Sequence, residues 1–278
     1  MANSCRSPDK RPGETALIVD TTTISLQYRD EIFNLPSPQY ANRIIRDLKL
    51  HYNPELLNDY SVTLNYNSSI SKALNLGIYG TDLGYLNIFS MGQETTLYLK
   101  SIQLLCDGLE IHDRQVLASI KKIGSSLGDP DSLMYYLSEA YIHAGRYFHE
   151  NQRSEIASLI LAGGWIESFY FLARYYEDHP GPILYNYIGE QKYPLENLIR
   201  LLAPYYNKND QITRVIDLLV DLAYEFDIID FNYTYSSIEH DSSERLSIIN
   251  SETRMEVSTG TLKNITRKAK LIRNEIVN

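Results

Sequence analysis

The sequence has little cysteine, a single tryptophan and no long unbroken apolar run, and each scarcity closes off a class of protein. Its two cysteines are Cys5, in a polar leader, and Cys106, inside the apolar stretch Ile102-Gln-Leu-Leu-Cys-Asp; two are too few for a disulfide framework or a zinc site. Cys106 reads as a small buried hydrophobe. No stretch approaches the roughly 20 apolar residues of a membrane span, and the N-terminus lacks the apolar segment of a signal peptide, so the chain as given reads as soluble. Basic side chains are outnumbered 26 to 35, a net charge of -9 that repels a phosphate backbone, and nucleic acid is not an expected partner. The densest basic group, Arg267, Lys268, Lys270 and Arg273, falls on the last expected helix and reads as a solvated face favouring that helix's C-terminal end.

Missing motifs narrow the chemistry further. The six histidines are scattered, and none belongs to a His-Glu-x-x-His pattern. A ferritin-like di-iron centre needs two Glu-x-x-His pairs, and the chain has none, although Glu139 and His143 stand four apart on one helix. No Gly-x-Ser-x-Gly elbow, phosphate loop or dinucleotide fingerprint occurs. No metal and no cofactor is therefore expected, and no residue is assigned a catalytic role.

What is present is helical period. The apolar pattern runs almost unbroken from Ile70 to Phe226, which predicts one helical domain over 31–278 behind a flexible tether over 1–30. Leu35-Pro-Ser-Pro reads as a helix start with Ser37 as N-cap and Pro38 in the first helical position. Asn67-Ser-Ser caps a long helix to about Ser90 with two apolar tracks, which marks it as central and mostly buried. Gly77, Gly80 and Gly84 within it imply close approach by a neighbouring helix or a ligand. Further helices follow over Gln93 to Leu109, Asp113 to Leu127, and from Gly128-Asp-Pro-Asp-Ser onward. The most apolar stretch, Ile156 to Tyr176, carries Trp165 and must be enclosed on nearly every side. Helices from Ile183 to Tyr205, interrupted near Pro194, and from Asp210 to Phe226 complete an antiparallel multi-helix bundle. After Asp230 the period changes. Phe231-Asn-Tyr-Thr-Tyr alternates as a strand, Ile238 to Arg245 reads as a loop, and Leu246 to Val257 as the second strand of a small C-terminal β-hairpin. Ser258 or Thr259 caps a final helix. The fold class is mainly α.

Polar groups placed where burial is expected are the candidate ligand-binding residues. Asn75, Tyr79 and Asp82 follow an i, i+4, i+7 spacing on the central helix; Trp165 and Glu167, the lone carboxylate in the body of its helix, join them as candidates from the most apolar stretch, with Gln93 as a possible further member. A buried carboxylate needs partners or becomes neutral, so this group is either a structural network or a site. The 23 tyrosines suit core boundaries, or a stacking surface for a sugar or peptide.

Leu35-Pro-Ser-Pro, the run from Lys72 to Tyr85, Gln93-Glu with Tyr98-Leu, Leu161-Ala-Gly-Gly-Trp-Ile-Glu and the closing helix from Ile265 to Ile276 together resemble an uncharacterised family of helical lipoproteins from Bacteroidetes, over most of the chain after Phe33. The resemblance implies a lipid on Cys5, whose surroundings already look like a shortened lipoprotein start, and residence in the periplasm or at the outer membrane, with membrane contact only through that anchor. It implies no activity. The expected function is a non-enzymatic cell-envelope lipoprotein that binds an unknown small molecule or envelope protein. Two alternatives stand beside it: a hydrolase acting on an envelope or extracellular glycan with Asp82 and Glu167 as its acid/base pair, and a purely structural envelope component.

Overall fold

The computed structural model describes residues 23–28, 31–241 and 246–278. Cys5 lies outside them. Ten α-helices and two antiparallel strand pairs make up these residues, a mainly α bundle with a C-terminal hairpin.

Helix ends follow the cap chemistry of the sequence. Ser68 accepts from Ser71 N at the start of α2 (Ser69–Ile88), Asp113 from Gln115 N and Val116 N at α4 (Arg114–Ser125), and Asp129 from Ser132 N at α5 (Pro130–Glu150). Ser258 does the same for α10 (Thr259–Val277) through Thr261 N. Each side-chain oxygen satisfies a backbone donor that the first helical turn leaves free. The first helix departs from expectation. Leu35 and Pro36 belong to a strand, Ser37 turns the chain by accepting from Gln39 N and Tyr40 N, and α1 is Tyr40–Asp47 with Gln39 as its N-cap.

The segment read as tether holds a strand as well. β1 (Thr23–Tyr28) pairs with β2 (Glu31–Pro36) from Thr23 opposite Pro36 to Tyr28 opposite Glu31. Burial of Ile24, Phe33 and Leu35 fixes this pair on the bundle, a contribution that the polar threonine run around Ile24 conceals in the sequence. At the other end β3 (Asp230–Asp241) continues through Ile238 to Asp241, four residues read as loop, and pairs with β4 (Leu246–Glu256) across a register shift between Tyr235 and Ser237. The predicted loop falls partly on residues 242–245, outside the described residues.

The bundle is organised on two central helices. α6 (Ser154–Asp178) is long and apolar enough to cross a membrane by length and composition, contrary to the expectation that no segment approaches this, and its apolar stretch is buried inside the protein. It runs parallel to α2: Leu74 sits against Gly163, Thr81 donates to the Gly164 carbonyl at 3.2 Å, and the Tyr85 ring lies 5.0 Å from Phe171. A β-carbon on Gly77 would overlap the Ile160 carbonyl oxygen and one on Gly163 the Leu74 carbonyl oxygen, so glycine is what lets the two backbones touch. The remaining helices wrap this pair: α3 (Gly92–Gly108), α4 and α5 on one side, α7 (Pro182–Gly189), α8 (Lys192–Leu202), α9 (Asp210–Asp227) and α10 on the other. Arg214 with Glu275 and Lys268 with Glu225 require α9 and α10 to be antiparallel.

Between α1 and α2 the chain forms only short 3-10 turns, Pro54–Leu56 and Tyr60–Asn65, whose backbone groups find few partners of their own. Tyrosines supply them. Tyr175 donates to the His51 carbonyl at 2.6 Å, Tyr98 to Asn58 at 2.6 Å and Tyr79 to Asp59 at 2.8 Å, while Tyr85 accepts from Asn53 N at 2.7 Å. Their rings are buried in the core and their hydroxyls solder an irregular segment to it, which accounts for part of the tyrosine content.

Candidate functional site

Three elements that are distant in sequence bring charge into the interior. Asp82, from the fourth turn of α2, and Glu167, on the facing side of α6, are both completely buried. Arg273 comes from the last turns of α10 and is 8% exposed. Glu167 accepts from Arg273 Nε at 3.2 Å and from Nη2 at 3.3 Å, using both carboxylate oxygens, and Nη2 also donates to the Leu56 carbonyl at 3.3 Å. The Tyr170 ring lies under the guanidinium, 5.1 Å from centroid to carbon, and adds a cation–π contact. Asp82 takes only one conventional bond, from Asn58 N to Oδ2 at 3.2 Å. Its Oδ1 is buried with no partner of that kind, and the Glu167 carboxyl is a hydrogen-bonding neighbour of the Asp82 side chain.

Electrostatics follow from this arithmetic of charge. Burial pushes Asp82 well above the usual carboxylate range, and the charge of Glu167 pushes it further, against the opposing pull of Arg273 and the Asn58 N–H. Burial raises Glu167 too, with Arg273's charge and hydrogen bonds resisting. Burial disfavours the Arg273 cation, and Glu167 more than compensates, so its pKa rises. Glu167 is therefore the counterion and Asp82 the acid of the pair.

Around the pair runs a neutral network. Asn58 Nδ2 lies 3.1 Å from Asn75 Oδ1 and 3.0 Å from the Tyr66 hydroxyl. Asn75 donates to the Ile276 carbonyl at 3.1 Å, and Tyr66 to Val277 at 3.4 Å. The Tyr79 hydroxyl reaches Asp59 and the Thr63 hydroxyl. The end of α10 thus has its free carbonyls satisfied by side chains of α2 and the 54–66 segment.

Of the candidate residues, Asn75, Tyr79, Asp82 and Glu167 meet in this one cluster. Gln93 does not: it stands exposed in the first turn of α3. Trp165 does not either. It is two residues from Glu167, about 200° around the helix, so it faces the opposite side, where it stacks on Phe169 at 5.1 Å and donates to Gln191 Oε1 at 3.1 Å. Arg273 is the member that sequence reading placed wrongly, on a solvated face. Arg273 and Lys268 are in fact largely buried, and their spacing shows it: Lys268 lies three residues from Ile265 and four from Ile272, and Arg273 four from Ala269 and three from Ile276, all buried. Glu139 and His143 take separate partners, Tyr135 at 3.1 Å and Ser119 at 3.2 Å, and among the described residues no group of side chains could hold a metal ion.

The pair is in contact and sealed from solvent. A glycosidase needs its two carboxyls about 5 to 9.5 Å apart across a cleft that admits the sugar, a geometry this arrangement does not offer. An open space lies elsewhere, an apolar crevice of about 50 Å³ among α2, α3, α4, α5 and α6, lined by Leu76, Ile102, Cys106, Ile120, Tyr141 and Ile160 among others. Burial, with Asp107 nearby, pushes the Cys106 thiol up to about 12, so the thiol facing this space is un-ionised and reacts slowly at neutral pH. No protein-family model, curated protein or solved structure matches this chain.

Proposed function

We propose that this chain is a non-enzymatic cell-envelope lipoprotein, tethered through Cys5, whose helical domain holds the end of a slender apolar ligand in the crevice among α2 to α6. The observation that carries the reading is the contrast between the two interiors: the ionisable groups are closed on one another, and the crevice is lined almost wholly by apolar surface, with one neutral thiol. Such a lining gives water too few hydrogen-bond partners to stay. Its volume, about 50 Å³, is far below the roughly 150 Å³ of a cavity known to take benzene, so a chain end fits better than a ring. The tether and the envelope address rest on the sequence around Cys5 and on the family resemblance.

The test is a homologous series of straight-chain alkanols, with benzene as the ring control, added to a Cys5→Ser variant in which Cys106 is the remaining thiol. Chain binding is expected to raise Tm with chain length and to slow alkylation of Cys106, because a ligand that binds only the folded state stabilises it by mass action. Ala144→Leu, which narrows the crevice, should abolish both effects. Equal responses to every alcohol and to benzene, or none, would leave the structural-component alternative standing. Metabolic labelling with palmitate, lost in Cys5→Ser, tests the tether separately.

A further inference from the structure

A buried site with two acids and one base has to settle its surplus charge, and the geometry here shows how. Glu167 spends both oxygens on Arg273, leaving no cation for Asp82. The charged groups of α10 nearest in sequence are engaged elsewhere: Lys268 binds Asp221 and Glu225 of α9 at 3.0 and 2.8 Å, and Glu275 binds Arg214 at 3.6 Å. Tyr79 of α2, Tyr98 of α3, Tyr170 of α6 and Tyr66 of the 54–66 segment face the cluster as neutral phenols, each pushed up from its ordinary value by burial. Asp82 Oδ1 has no N–H or hydroxyl to accept from, which is an anomaly for a carboxylate and is removed if that oxygen carries a proton.

We infer that Asp82 carries a proton at neutral pH, donated from Oδ1 to the Glu167 carboxylate, and that this single proton is a pH-sensitive lock holding the 54–66 segment and the end of α10 over the α2–α6 pair. Both covering pieces are bound to the same cluster, through Asn58, Leu56 and Tyr66 on one side and Arg273 and Ile276 on the other. Loss of the proton puts two like charges in contact where no water reaches them, and relief comes only by lifting that cover.

An acid whose pKa is higher in the folded chain than in the unfolded one stabilises the fold fully below its unfolded pKa, about 4, and loses that contribution as pH rises through its folded value. Asp82→Asn keeps a donor toward Glu167 and has no proton to lose. The ratio of the unfolding constants of the wild type and D82N, from urea titrations between about pH 5 and about pH 8, is expected to grow about tenfold per pH unit in D82N's favour. A constant ratio, or a wild type that gains on D82N as pH rises, overturns the inference. The wild type supplies an independent readout that needs no variant: a protonated-carboxyl C=O band in its infrared spectrum at neutral pH, shifted by carbon-13 labelling of the aspartate side chains. Absence of that band also overturns it.

Discussion

Arg273→Ala is expected to cost about 3–5 kcal/mol of unfolding free energy at neutral pH, read as a shift in the urea midpoint, because it strips a fully buried carboxylate of its only cation. Three contacts vanish together: the paired bonds to Glu167, the bond to the Leu56 carbonyl and the stack on Tyr170. The loss is also pH-dependent, with a defined sign. Without the guanidinium both acids are drawn further toward their neutral forms, so the folded variant takes up protons that the wild type does not. Its deficit is then greatest at neutral pH and shrinks toward the ordinary carboxylate range, about pH 4. Arg273→Lys should recover only part of the loss, since an ammonium cannot make both in-plane bonds to one carboxylate. A deficit that stays the same across this pH range would mean that Arg273 acts by packing alone.

Local structure was largely legible because its determinants are local. Ser68, Asp113, Asp129 and Ser258 announce helix starts by chemistry that needs no tertiary partner, and the two-sided apolar pattern of α2 and the saturation of α6 announce their central place. Ile24 illustrates the limit: a lone apolar residue among threonines becomes informative only once Phe33 and Leu35 lie beside it. The candidate site divides in the same way. The i, i+4, i+7 spacing places Asn75, Tyr79 and Asp82 in one buried region, and helical geometry alone already separates Trp165 from Glu167. That Asp82 meets Glu167 depends on which face of α2 crosses which face of α6, in parallel, across eighty intervening residues or so of chain. Arg273 was readable from its spacing among isoleucines, but a charged residue in a basic run defaults to solvent until a buried acid is known to need it.

The crossing that brings the acids together predicts the second large effect. Gly77→Ala and Gly163→Ala are each expected to destabilise the protein by about 3 kcal/mol, at the upper end of overpacking costs, although alanine favours an isolated helix over glycine by about 1 kcal/mol. The sign is decided by what the new methyl meets. At Gly77 it meets the Ile160 carbonyl and the Gly164 nitrogen, and at Gly163 the Leu74 carbonyl, all backbone atoms that no rotamer change can move. Gly84→Ala meets the side chains of Gln39 and Asn42 instead, and Gly92→Ala meets nothing, so the urea midpoint should fall in the order Gly163 and Gly77 most, Gly84 less, with Gly92 unchanged or stabilised. Relief at Gly77 or Gly163 requires α2 to move off α6, and that same motion separates Asp82 from Glu167. These two variants should therefore also weaken the pH dependence that the shared proton confers, whereas Gly92→Ala should leave it intact.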